Sequence, residues 1–294
     1  VKGFRTAMLL AAMTALFMAL GLGLGGPRGA IVALLVAGAM NLFTWWNADR
    51  IVLRMHDAVE VDARCAPELV GLVRRLALRA GLPCPRVYVI RSAHPNAFAT
   101  GRDPDHAAVA VTTGLLAMLD RDEIEGVLAH ELAHVKHRDT LVMTMVATIA
   151  GAISMLANFG LFFRGDHRGN LLATVLAVLV APFAAMIVQL AISRGREYGA
   201  DRGGAEISGK PRALASALIK LTDAAGRIPN PVVARNPAAA QLYIVPAVAG
   251  WFSTHPGTEN RIAALERIAL EMGESIRHDV PRRQRPSALD PRKN

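Results

Sequence analysis

The chain has 294 residues, enough for more than one compact unit, and 52% of them are apolar against only 19% charged, which is rich for a soluble domain and points to membrane spans. The net charge of +9 does not mark a nucleic-acid binder, because aromatic residues are only 5% and no nucleic-acid motif occurs; basic loops beside membrane spans explain it better. Two cysteines, Cys65 and Cys84, offer at most one disulfide, and no C-x-x-C occurs, so both read as reduced thiols.

Residues 1–48 read as two transmembrane helices. Thr6 to Pro27 and Gly29 to Ala48 carry no charge. Each run is about 20 residues, the length that spans a ~30 Å hydrocarbon core. Gly25-Gly26-Pro27-Arg28-Gly29 is a tight turn between them, and Trp45 and Trp46 stand where interfacial aromatics belong. Lys2 and Arg5 also give the first run the basic end of a signal peptide, but it is long for that role and a second run follows at once.

Residues 49–139 read as a water-exposed block. Pro67 opens a helix and Gly81 closes it. Arg86 to Ile90 is a short strand, and Ala107 to Thr113 is a second, β-branched one that offers an edge to an extended substrate. Asn96 to Gly101, between them, is turn-rich. Asp120 with Glu123 forms a capping-box pattern, and the helix it opens runs to about His137.

That helix carries His130-Glu131-Leu132-Ala133-His134. Histidines four apart share one helical face and can bind one metal ion together. Glu131 lies beside them and can reach a water on that metal as general base. This is the H-E-x-x-H pattern of zinc proteases: two neutral nitrogen ligands, a carboxylate base and an open coordination position. The alternative is an amphipathic helix with two surface histidines. His137 lies about 10 Å along the axis from His130 and cannot share the metal in a continuous helix. It reads as a polar helix end beside the C-terminal dipole.

Residues 140–193 read as a transmembrane hairpin. Thr140 to Phe163 and Gly169 to Ser193 are charge-free, joined by Arg164-Gly165-Asp166-His167-Arg168. The alternative is a pair of buried helices in a large soluble core. The hairpin leaves and returns on the side of His130. Just beyond it, in residues 194–275, Glu197 and Asp201 stand four apart on one helical face. Glu197 is assigned as third ligand. Asp201 is assigned as acceptor for the far nitrogen of a ligating histidine. Without the upstream motif, both would read as a solvated acidic face paired with arginines. Pro211 opens a helix through Ala225, and Thr258 caps another from near Glu259. His255 reads as a turn histidine. Residues 276–294 form a basic tail that reads as disordered.

Lys and Arg number 12 in residues 49–139 and 16 in residues 194–294, while the two interhelical turns carry one and two. The positive-inside rule then places both blocks and both termini in the cytoplasm. The fold class expected is mainly α: four transmembrane helices plus a cytoplasmic α+β, zincin-like metalloprotease domain built from two sequence blocks.

Taken together, the two N-terminal runs, Pro95-Asn96-Ala97-Phe98-Ala99-Thr100-Gly101, the H-E-x-x-H helix, the second pair of runs, Arg196-Glu197-Tyr198 with Ala200-Asp201, and His255-Pro256 resemble the HtpX family of bacterial inner-membrane zinc metalloproteases, relatives of the CAAX prenyl-protein endopeptidases. The resemblance covers nearly the whole chain. It implies one Zn²⁺ per chain and a cytoplasmic active site. It also implies cleavage of membrane-protein substrates in quality control, the lipid bilayer as surroundings, no nucleic acid, and homo-oligomers or self-cleavage. It further implies that His255 faces the zinc and helps stabilise the oxyanion, and that the stretch from Asn96 lies by the substrate cleft. One departure stands out: Gly195 and Gly199 bracket the third ligand, and each costs ~1 kcal/mol relative to Ala in a helix. Besides a soluble or secreted zinc protease, which requires the four apolar runs to be core, two other readings stay open. One is a prenyl-peptide endopeptidase, against which four spans argue. The other is a non-catalytic zinc-stabilised scaffold, which has no need of Glu131.

Overall fold

The computed structural model describes residues 2–140, 194–230, 242–244 and 257–273. The two N-terminal apolar runs lie in one helical element, α1 (Lys2–Met55), broken at Gly25 and Gly26. Gly26 has φ 61, the left-handed region that suits glycine. Beyond the break the two limbs fold back on each other. A Cβ on Gly21 or Gly29 would run into the other residue's carbonyl oxygen, so the limbs touch backbone to backbone. Among the described residues no helix is long and apolar enough to cross a membrane. The second hairpin, apart from Thr140, lies outside the described residues, as do His255 and the tail.

The rest of the first block builds a small sheet with helices on one face. The strands are β1 (Val59–Val61), β2 (Arg86–Ile90), β3 (Ala97–Thr100) and β4 (Ala108–Thr112), in the order β1-β2-β4-β3. β2 and β4 are parallel; β1 and β3 flank them antiparallel. Side chains alternate across a strand. Val87, Val89, Ala97, Ala99, Val109 and Val111 therefore join one core. That core also takes the buried faces of α2 (Pro67–Ala80) and α4 (Arg121–Lys136). Tyr88, Ile90, Phe98, Ala108 and Ala110 face the other way. They pack with Val52 and Leu53 of α1 and with Leu242 and Tyr243. A six-residue helix, α3 (Thr113–Met118), follows β4 directly.

Four differences from the sequence reading have physical causes. β1 is only three residues long and too short for a periodic signal. Asn96 to Gly101 holds a strand, β3, because its small residues can lie between β4 and α4. The Ala107 to Thr113 strand is not an edge: β4 is flanked on both sides, and the edge beside α4 is β3. Thr258 does not cap its helix; that position belongs to Gly257, and the Thr258 hydroxyl is within 3.2 Å of Thr222 Oγ1 instead. Cys65 and Cys84 are both free and exposed, as expected.

α4 is the axis of the domain. Every residue from Glu123 to Val135 is buried. Asp120 and Glu123 complete the capping box, each side chain accepting from the other's backbone N–H. Around α4 pack α2, β3, α5 (Arg194–Ser208) and α6 (Pro211–Ala225). α7 (Thr258–Glu271) lies against α5 and α6. Two of the buried acidic residues of α4 are paired with cations. Glu123 takes Lys220 and Ser216, and Glu125 takes Lys210 and Arg79.

Candidate metal centre

Helix periodicity puts His130 and His134 of α4 on one face, toward α5, which supplies Glu197. The approach of the two helices depends on α5 having no side chains where they meet. A Cβ on Gly204 would stand 2.8 Å from His130 N and Cα, and one on Gly203 would stand 2.9 Å from Ala133 Cβ. Gly199 needs no such allowance, its nearest neighbour being His137 Cε1 at 4.0 Å. Gly195 and Gly199 nonetheless lie inside a continuous helix.

His130 Nε2 is 3.8 Å from Glu197 Oε2, and His134 Nε2 is 3.7 Å from Glu197 Oε1. The three donor atoms lie within 4.8 Å of one another, and all three residues are buried. Ligands of a tetrahedral zinc at ~2.0–2.2 Å from the metal stand about 3.3 Å apart, so the two nitrogen–carboxylate spans exceed that spacing by about half an ångström and the set as a whole by at most about 1.5 Å. The charge balance points the same way. Glu131, Glu197 and Asp201 are buried close together, and Arg261 pairs with Asp201 and stands 3.4 Å from Glu197. A dication among these carboxylates adds balancing positive charge. Two imidazoles and a carboxylate are a donor set that suits zinc. The residues present therefore fit the ion.

The outward nitrogens of both histidines face carboxylates. His130 Nδ1 is 3.0 Å from Asp201 Oδ1, though not aligned for a hydrogen bond. His134 Nδ1 is 3.5 Å from Asp139 Oδ2. Burial alone would disfavour charge on His134, but Asp139, Glu197 and Glu131 together raise its affinity for a proton above the ordinary histidine value. Burial also acts against ionising Asp201, yet Arg261 overrides it and holds this carboxyl well below the usual range. Arg261 Nε donates to Asp201 Oδ2 at 2.8 Å and Nη2 donates to Oδ1 at 2.7 Å. Its Nη1 donates to the Ile244 carbonyl at 3.0 Å and stands 3.4 Å from Glu197 Oε2.

Glu131 lies outside the donor set. Its Oε2 accepts from the Ala99 N–H of β3 at 2.9 Å. Burial pushes its carboxyl above the ordinary glutamate value, against the pull of His130, His134 and that N–H. Asn96, at the start of β3, is 1% exposed. Its Nδ2 donates to the Leu242 carbonyl and its Oδ1 accepts from the Ile244 N–H, at 3.2 and 3.3 Å. In this state its amide therefore holds the 242–244 segment. His137 is the last residue of the α4 turn and its ring lies over Gly199 and Gly203, outside the donor set.

Three participants escape a reading of the sequence. Arg261 had one available signal: with Leu265, Ile268 and Ala269 it falls on the buried stripe of α7, where an unpaired charge is costly. Asp139 and the Ala99 N–H had none, since one depends on a turn and the other on a backbone group.

Two comparisons bear on this arrangement. Residues 63–269, more than half of the chain, match the model of peptidase family M48. That stretch contains His130, Glu131, His134, Glu197, Asp201 and Arg261. The crystal structure of Ste24p from S. mikatae superposes with a TM-score of 0.48 at 19% identity, over 90% of this chain and 63% of that one. This chain thus spans less than two thirds of that protein's length. With the match over both sequence blocks and the His130–His134–Glu197 donor set in hand, the chain belongs to peptidase family M48, whose members are zinc metallopeptidases.

Proposed function

We propose that this chain is a membrane-embedded zinc endopeptidase of the HtpX type, which hydrolyses peptide bonds of misfolded or damaged membrane proteins at the cytoplasmic face of a bacterial inner membrane. The observation that carries the hydrolytic reading is Glu131. It is buried beside the donor set without belonging to it, and a purely structural zinc site needs no such group. Support for the bilayer comes from α1. Leu22, Ile31, Val32, Leu35 and Phe43 are exposed along it, with Trp46 near its end and Arg50 and Arg54 beyond. Soluble surfaces rarely leave so much contiguous apolar area open, whereas lipid chains cover it.

A zinc ion held by His130, His134 and Glu197 supplies a Lewis acid that polarises a water and the scissile carbonyl. Glu131 accepts the proton of the attacking water on a side-chain oxygen and passes it to the departing amine. Its raised proton affinity suits both halves of that transfer. Asp201 holds His130, and Arg261 holds Asp201 and Glu197. An extended substrate would run along β3. Asn96 accepts from Thr112 N–H, so alternation turns the backbone groups of Ala97 and Ala99 away from β4. The Ala99 N–H, now on Glu131, lies on that free side. His255, by resemblance, completes the oxyanion environment, and Asn96 borders the cleft.

Glu131→Gln tests the reading. Glutamine keeps the shape and cannot take the proton. Zinc per chain should stay at the wild-type level while cleavage of a membrane-protein substrate, and any self-cleavage during purification, falls at least ~10²–10⁴-fold. Unchanged cleavage would remove Glu131 as the base. Lost zinc would make it a ligand and require the site to be redrawn.

A further inference from the structure

We infer that Asp139 is a positioning residue for His134, delivered to it by the left-handed turn that ends α4; the inference rests on the zinc-peptidase reading of the site. Two adjacent residues at this turn go against local preference. Arg138 has φ 58, a left-handed conformation that glycine normally fills. Asp139 puts a buried carboxylate at the C-terminal, negative end of a helix, where a cation belongs. Such local conflicts collect at functional sites when a nearby interaction compensates them.

The turn itself is closed. Arg138 N–H donates to the Val135 carbonyl at 3.0 Å, and Asp139 N–H donates to the His134 carbonyl at 2.9 Å. These are the paired hydrogen bonds of a Schellman ending, with Arg138 where glycine is usual. Asp139 is therefore joined to His134 twice, through the backbone and through Oδ2 to Nδ1 at 3.5 Å. The next residue is anchored as well, Thr140 Oγ1 donating to the Gly101 carbonyl at 3.2 Å. The turn is thus fixed between the end of α4 and the end of β3.

The two histidines face carboxylates in the same sense, though only His134 Nδ1 is aligned for a hydrogen bond. Each directs Nε2 at Glu197 and Nδ1 at a second carboxylate, Asp201 for His130 and Asp139 for His134. A carboxylate on the far nitrogen fixes the tautomer, so that the inner nitrogen carries its lone pair toward the metal, and it keeps the ring from turning. Asp139 thus stands to His134 as Asp201 stands to His130.

The test uses the full chain and reads zinc affinity by competition with a chelator, with thermal melting of the zinc-free protein alongside. Asp139→Ala should weaken zinc binding about 10–100-fold, and Asp139→Asn, which keeps a neutral acceptor, should fall between it and wild type. Melting of the zinc-free forms should move far less. Loading with Co²⁺ should give Asp139→Ala a visible spectrum altered from wild type, because the His134 ring is no longer held. Wild-type zinc affinity in Asp139→Ala, whatever its melting temperature, overturns the inference and leaves Asp139 a turn residue. A second pair decides the matter if Asp139→Ala does not fold. Arg138→Ile, which resists the left-handed turn, should weaken zinc binding, and Arg138→Gly should not. Equal affinity in that pair also overturns it. A wild type that binds no zinc would overturn the peptidase reading along with this one.

Discussion

Arg261 shows how one side chain can govern a buried site it does not line as a ligand. Its fork engages both oxygens of Asp201, and its remaining nitrogen reaches Ile244 and Glu197. Arg261→Ala would remove the bidentate partner of the buried Asp201, and should cost ~3–5 kcal/mol of stability and weaken zinc binding. Arg261→Lys should recover little, because a point ammonium cannot replace a two-pronged fork. Denaturant unfolding of both variants, with and without zinc, checks this; an alanine variant as stable as wild type would show that Asp201 needs no partner. At this scale the sequence was partly legible. His130, Glu131 and His134 announce themselves by spacing, and Glu197 and Asp201 by standing four apart after the charge-poor 140–193 stretch. Arg261 is marked only by its place on a buried stripe, because its carboxylate partners lie sixty or more residues away and only the folded chain brings them together.

Between elements, the decisive contact is α4 on α5, and glycine sets its distance. Gly204→Ala would press a methyl group against the backbone of His130 and push the helices apart. It should destabilise the fold by ~1–3 kcal/mol and weaken zinc binding, since Glu197 moves away with α5. Gly199→Ala meets only ordinary contact and should gain up to about 1 kcal/mol from helix propensity, with zinc affinity intact. Thermal melting and zinc titration of the two variants separate a packing glycine from a merely tolerated one. The sequence flagged glycines near the third ligand but could not rank them, because the rank depends on what faces each one. Helix ends were read well: Pro67, Gly81, Asp120 and Pro211 act locally, through backbone geometry and caps. β3 was read as a turn because its strand character comes from its neighbours β4 and α4, and no local pattern carries that information.

On the scale of the whole molecule, the end of α1 is fastened to the back of the sheet. Asp49 pairs with Arg86 at 2.9 Å, Arg102 lies over the Trp46 ring, and His56 packs on Phe98. His94 meets Tyr243 edge-on in the same layer, and His56 lies near Tyr243 as well. Both histidines are buried. His56 Nε2 and both ring nitrogens of His94 lack a hydrogen-bond partner among the described residues. Burial pushes both imidazoles below their ordinary value of 6.5; the Val52 carbonyl and Asp57 oppose this at His56, and the Pro95 backbone opposes it at His94. The unfolded chain accepts protons there that the folded chain resists. Stability from this junction is therefore complete above that value and is lost as the pH falls below it. Melting temperature should drop as the pH is lowered below the ordinary histidine value of 6.5, and His94→Phe, which keeps an aromatic ring against Tyr243, should lessen the drop. An unaltered drop in that variant would assign the acid sensitivity elsewhere.

The metal centre is assembled from both sides of the 140–193 segment, and that division has a consequence in time. More than sixty residues separate His134 from Glu197, and about as many again separate Glu197 from Arg261. At ~5–20 residues per second, each interval of synthesis lasts on the order of several seconds. The ribosome therefore delivers His130, Glu131 and His134 first, and Glu197 only afterwards. A nascent chain that stops short of Glu197 offers a metal two nitrogen donors without the carboxylate that joins them in the folded domain, so the order of synthesis makes metal loading a late step.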